Sequence, residues 1–99
     1  MKIYLSKQAE YKLNTTLTYI LEKWSLKERD NFLRILDNKI KQISKHPESC
    51  PKSEKFKGIY RCVLSKQTIF FYRINNISEI EIITFFDTRQ NPEFIKFEI

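Results

Sequence analysis

One change in the period of the apolar residues restricts the fold of this chain more than any other feature. Up to Ile43 they recur at helical spacing, and from Ile59 onward they gather in short runs rich in β-branched and aromatic residues. Ala9, Leu13, Leu17, Ile20, Leu21 and Trp24 form one stripe, leaving Lys7, Glu10, Asn14, Thr18 and Glu22 for other faces. Phe32, Leu33, Leu36, Ile40 and Ile43 form a second. Ser6 is placed to cap the first helix, because its hydroxyl can accept a backbone N–H that the first turn leaves free. Ser25-Leu26-Lys27-Glu28 has the S-x-x-E pattern of a capping box, which restarts a helix at once. His46-Pro47 ends it, since the residue before a proline is driven out of the α region. So short a link between two helices predicts an antiparallel helical hairpin.

Before the hairpin, Lys2 to Leu5 alternate as a short strand expected at a sheet edge, with no neighbour that spacing can assign. After it, Glu48 to Lys57 is a polar connecting segment closed by Gly58. Ile59 to Leu64, Thr68 to Ile74 and Glu79 to Phe86 read as strands, joined at turns by Ser65-Lys66-Gln67 and Asn75-Asn76. The expected fold is α+β: a short N-terminal strand, an antiparallel helical hairpin, and a three-stranded antiparallel β-meander against which the hairpin packs. With 99 residues, of which 41% are hydrophobic, there is material for one domain, residues 1–99, and not for two.

Eight Phe, five Tyr and one Trp supply a bulky core, so neither a metal nor a disulfide is needed to explain stability. Cys50 and Cys62 form no Cys-x-x-Cys pair and lack histidine partners; they read as reduced thiols, and no zinc site or other cofactor is expected. The sequence shows no charged leader followed by an apolar segment and cleavage site, and no apolar stretch approaching a membrane span. A cytoplasmic location is the expectation.

Eighteen Lys and Arg against twelve Asp and Glu give a net charge of +6, which favours an anionic partner such as nucleic acid or an acidic protein segment, the alternative being that the charge serves solubility alone. Arg61 and Arg73 sit within strand-like runs. Arg89 lies just past one, in Asp87-Thr88-Arg89-Gln90-Asn91-Pro92, which places a cation at the rim of a sheet. Planar guanidiniums bind phosphates or carboxylates bidentately, so this trio, with Lys52, Lys55 and Lys57, is suited to surround an anionic ligand. The alternative is separate salt bridges to Glu54, Glu79, Glu81 or Asp87. A single glycine leaves no P-loop, no dinucleotide fingerprint and no glycine-containing aromatic motif of an RNA-recognition module. A helix-turn-helix reading leaves the sheet unexplained, and the hairpin link lacks the usual glycine.

Leu5-Ser6 with Ala9, Trp24-Ser25, the helix end from Ile43 to Pro47, Gly58-x-x-Arg61, Tyr72-Arg73-Ile74 and the Asp87 to Pro92 segment occur in an order and spacing that resembles the RelE/ParE superfamily of type II toxin-antitoxin toxins. The resemblance covers nearly the whole chain. It implies a toxin neutralised by a cognate antitoxin, acidic and partly disordered when free, that docks in an apolar groove between the Tyr11 to Tyr19 face and the sheet. Tyr11, Thr15 and Tyr19 are the implied antitoxin contacts.

Two activities occur among proteins of this kind. In the RelE-like, ribosome-dependent mRNA endoribonucleases, basic residues hold the scissile phosphate, which implies that role for Lys55, Lys57, Arg61, Arg73 and Arg89. Attack by a 2′-hydroxyl also needs a base and a proton donor. Where those nucleases usually carry a tyrosine or histidine near the C-terminus, this chain has Phe94 and Phe97. His46 reads as a helix-end residue that complements the dipole, and Tyr60 and Tyr72 as core or rim packing with proton donation as the alternative. The resemblance is therefore closer to the ParE-like branch, which inhibits DNA gyrase by protein-protein contact. Implied target contacts are Arg61, Arg73, Arg89, Asn91 and Phe94. Phe94, Ile95 and Phe97 are expected to pack against the sheet, with a partly exposed tail suited to a partner as the alternative.

Overall fold

Ser6 and Ser25 each begin a helix by the same means. Both have extended backbone, and each side-chain oxygen accepts the N–H three residues on, from Ala9 at 3.0 Å and from Glu28 at 3.1 Å. In this computed structural model, which describes residues 1–91 and Ile95, the helices are α1 (Lys7–Lys23) and α2 (Leu26–Lys45). His46 caps α2 immediately before Pro47. Among the described residues no helix is long and apolar enough to cross a membrane.

The strands are β1 (Ile3–Leu5), β2 (Tyr60–Val63), β3 (Thr68–Ile74) and β4 (Ile80–Asp87), in the order β1-β4-β3-β2. β2, β3 and β4 form the expected antiparallel meander. β1 is an edge strand, as expected, and its neighbour is β4, running parallel with Ile3 opposite Ile80 and Leu5 opposite Ile82. The sheet is therefore mixed. A parallel pair needs a long crossover, and the hairpin with the first two meander strands provides it.

One sheet face meets the helices. Phe70, Tyr72, Ile80, Ile82 and Phe85 pack there with Ala9, Phe32, Leu36 and Ile43. Each of the Ile, Leu and Phe side chains among them contributes about 1.5–3 kcal/mol when fully buried. Ile69 and Phe71 alternate onto the other face, where they join Ile59 and Ile83 in a second cluster. Phe56 covers that cluster, meeting the Phe71 ring edge-on with centroids 6.2 Å apart, and Phe86 and Ile95 pack beside it.

Two members of the first stripe depart from the core. Leu21 is 43% exposed and Trp24 69%. Leu21 follows Ile20 and so lies about 100° further round the helix. Trp24 is the C-cap of α1, with φ −121° and ψ −90°, where helical phase no longer sets direction.

Ser6 does more than cap. Between Phe71 and Tyr72 the partner on β4 steps from Thr84 to Ile82, which leaves Ile83 as the extra residue of a bulge. The Ser6 hydroxyl donates to the Ile83 carbonyl at 2.7 Å, and the Ser6 N–H donates to the Ile82 carbonyl at 3.0 Å. One serine thus starts α1, satisfies a carbonyl at the bulge and fixes the helix to β4.

Cys50 and Cys62 are joined as a disulfide with Cα atoms 5.4 Å apart, which corrects the expectation of reduced thiols. The polar segment before β2 doubles back along that strand: Arg61 N–H donates to the Pro51 carbonyl at 2.8 Å, and Lys52 bridges Tyr60. That fold-back carries Cys50 to Cys62. Gly58, with φ +78°, makes the return in a left-handed conformation that other residues adopt only with strain.

Candidate functional site

β4 ends in a carboxylate that organises the residues after it. Asp87 Oδ1 accepts the Arg89 backbone N–H at 2.9 Å, and the carboxylate grips the guanidinium through Nε at 3.0 Å and Nη2 at 2.6 Å. The Tyr19 ring lies 6.0 Å from the guanidinium carbon, within cation–π reach. Thr88 ties the segment to the β2–β3 turn, its N–H donating to Gln67 and its hydroxyl to Lys66. Hydrogen bonding from Arg89 holds the Asp87 carboxyl below its ordinary range, against the opposing effect of partial burial. The Arg89 guanidinium is raised further above its already high value, chiefly by its hydrogen bond to Asp87 and then by Tyr19. A charge held this way loses little freedom when it meets a partner.

Beside this clamp a groove of about 630 Å³ runs between α1 and the C-terminal end of β4, lined by Lys12, Thr15, Tyr19, Trp24, Thr84 and Arg89 among others. Thr15 and Tyr19, expected as antitoxin contacts, are both in its wall. Tyr11, 69% exposed, sits one turn earlier on the same helix face, and its carbonyl accepts the Thr15 hydroxyl at 2.9 Å. Trp24 was expected in the core and instead lines the groove. The signal for this was Ser25, whose capping role ends α1 and makes Trp24 a boundary residue.

The three arginines are not gathered at one point. Arg73 lies opposite Glu81 and pairs with it at 2.7 Å, while Thr68 lies opposite Asp87. The two places are five β3 residues apart, or roughly 17 Å at about 3.3 Å per residue. Arg61 is exposed on β2, with no ion pair among the described residues. Lys52, Lys55 and Lys57 are exposed on the segment beside it, with Lys55 Nζ 5.4 Å from the Phe56 ring. In place of the expected convergent array, Arg73 and Arg89 are each paired with an acid at separate places, and Arg61 lies with the lysines at a third. Strand alternation fixes which face a side chain takes, but register fixes its height along the sheet. Asn91 is exposed just beyond Arg89, and Phe94 and Phe97 lie outside the described residues.

Tyr60 and Tyr72 stack at 4.9 Å and are both buried. Tyr60 donates to Glu48 at 3.2 Å and Tyr72 to the Pro47 carbonyl at 2.6 Å. Burial is the main cause that pushes both hydroxyls above the ordinary tyrosine value, and the Glu48 charge adds to it. They anchor the start of the connecting segment, as the packing reading expects.

A model of the family described as the ParE toxin of the type II toxin-antitoxin system parDE matches residues 3–92. The chain belongs to this family. Toxin ParE1 of Caulobacter vibrioides is 31% identical over 81 residues, covering 81% of this chain and 84% of that protein. Two solved structures share the fold. A chain of the chromosomal ParDE system from P. aeruginosa superposes with a TM-score of 0.73 at 11% identity, over 88% of this chain and 95% of that one. A YoeB/ParE toxin from Agrobacterium tumefaciens gives 0.64 at 12% identity, over 88% and 98%. The molecule is thus a type II toxin of ParE type, and a cognate antitoxin is its partner.

Proposed function

We propose that this toxin arrests growth by binding DNA gyrase through protein-protein contact, and that the groove between α1 and the end of β4 receives the antitoxin. The observation that carries the first part is the ParE-family match from residue 3 to residue 92. The site supports it: Arg73 and Arg89 already have carboxylate partners, so the toxin offers fixed, mixed charge beside aromatic rings. Such a surface complements another protein. Arg73 and Arg89, each paired and at opposite ends of the β3–β4 ladder, do not enclose a common phosphate. Arg61, Arg73, Arg89, Asn91 and Phe94 remain the proposed target contacts, with Arg89 foremost.

Purified toxin tests this against the ribonuclease alternative. Supercoiling by gyrase is expected to fall and cleavage complexes to accumulate, with ribosome-bound mRNA left intact. Cut mRNA with normal supercoiling would sink the gyrase reading.

The antitoxin segment expected in the groove is acidic and amphipathic. Lys12 and Arg89 would meet its carboxylates, and Trp24, Tyr19 and Ile20 its apolar side chains. Thr15→Arg fills the wall of the groove, so it is expected to abolish neutralisation on co-expression. A variant that the antitoxin still neutralises fully would move the dock elsewhere.

A further inference from the structure

The segment between α2 and β2 wraps the sheet. Cys50 is buried with the helix-side core, Lys52 pairs with Tyr60 along the outer edge of β2, and Phe56 reaches the opposite face against Phe71. Two backbone hydrogen bonds hold its middle to the chain at β2, from Arg61 N–H to Pro51 at 2.8 Å and from Ser53 N–H to Ile59 at 2.7 Å. The covalent tie between Cys50 and Cys62 lies at the start of the wrap. Closing a loop of 12 residues in sequence separation removes much of the freedom that the open segment would have.

We propose that the Cys50–Cys62 pair is a reversible, redox-controlled fastener. Its state decides whether the basic edge of Lys52, Lys55, Lys57 and Arg61 is held firmly on the sheet or can peel away. A low-molecular-weight disulfide of the glutathione class is the oxidant. One cysteine thiolate attacks it to give a mixed disulfide and release one thiol, and the second cysteine displaces the other. The toxin loses two electrons and two protons, and the small disulfide becomes two thiols.

Reduction leaves the core filled. Cys62 is fully buried and Cys50 5% exposed, and two thiols at these places remain small apolar groups. The cost of losing the bond therefore falls on the wrapped segment, while α1, α2 and β4 keep their contacts. Burial also means that a reductant reaches the sulfurs only when the wrap opens, so exchange follows local opening.

The test uses full-length toxin released from its antitoxin complex, equilibrated with oxidised or reduced glutathione, with thiol counting, amide hydrogen exchange and thermal unfolding as readouts. Oxidised protein is expected to show no reactive thiol, and reduced protein two. Amides of residues 52–61 are expected to exchange at least about tenfold faster in the reduced form, with α1 and β4 unchanged. The melting temperature is expected to drop by roughly 10 °C. The Cys50→Ala, Cys62→Ala double variant should behave like the reduced protein and ignore glutathione; if it fails to fold, the wild-type comparison decides alone. Thiols that stay free in oxidised glutathione, a disulfide that persists in reduced glutathione, or equal exchange in both states would each overturn the proposal.

Discussion

Arg89 and Arg61 stand at the margins of the same sheet, yet their surroundings differ in kind. Arg89 is gripped by Asp87, faces the Tyr19 ring and opens onto a groove. Arg61 projects from the edge strand without an ion pair among the described residues, beside lysines on a segment that wraps the sheet. Exposed cations gain little from isolated pairing in water. What makes one region a recognition site is fixed geometry and concavity, and what the other offers is a long-range basic field.

The two regions should also fail differently, and the largest effect is expected in the core where the wrapped segment begins. Tyr72→Ala removes a fully buried ring, its stack on Tyr60 and its bond to Pro47. Urea unfolding should show a loss of about 3–5 kcal/mol. On the groove side, Ser6→Ala should cost about 2–4 kcal/mol in the same assay. It loses a helix cap worth about 1 kcal/mol and leaves the Ile83 carbonyl without its partner, at about 1–3 kcal/mol. If Ser6→Ala costs no more than an ordinary cap, the Ser6–Ile83 bond does not tie α1 to β4.

Function should separate the regions in the opposite sense. Arg89→Ala is expected to weaken growth arrest by roughly tenfold or more, as the loss of a fixed, oriented guanidinium at an interface would. Arg61→Ala is expected to change it only slightly, mainly through association rate and salt dependence. Normal arrest by Arg89→Ala, measured by dose-dependent induction, would reverse the ranking.

The smallest effect is a pH dependence. Asp87 has a folded pKa below its unfolded value of about 3.9, so between those values the unfolded chain binds more protons and stability rises with pH. The contribution is complete above about pH 4 and is lost as pH falls through the folded value. Asp87→Asn should therefore be less stable than the parent near neutral pH, with the difference closing below about pH 4. A gap that stays constant on acidification would mean that the Asp87–Arg89 pair contributes nothing through its charge.

Ser6, Ser25 and Pro47 announced the helix limits because caps and breakers act within a few residues. The meander was equally plain, since alternation and turn residues such as Asn75 are local; its side chain accepts the N–H groups of Ile77 and Glu79 in the β3–β4 turn. The parallel pairing of β1 with β4 and the meeting of Cys50 with Cys62 depend on chain paths that spacing does not encode. The same limit applied to the site. Arg61, Arg73 and Arg89 were visible as cations, and Glu81 and Asp87 as acids able to quench them. Their grouping waited on the register between β3 and β4, which set Arg73 against Glu81 and carried Arg89 to the far end of the sheet.

Amide hydrogen exchange of the toxin, alone and with its antitoxin, tests most directly whether the groove is the recognition face. Protection is expected to concentrate from Tyr11 to Tyr19 on α1 and from Phe86 to Arg89 at the end of β4. Protection confined to Lys52 through Arg61, with the groove unchanged, would contradict it.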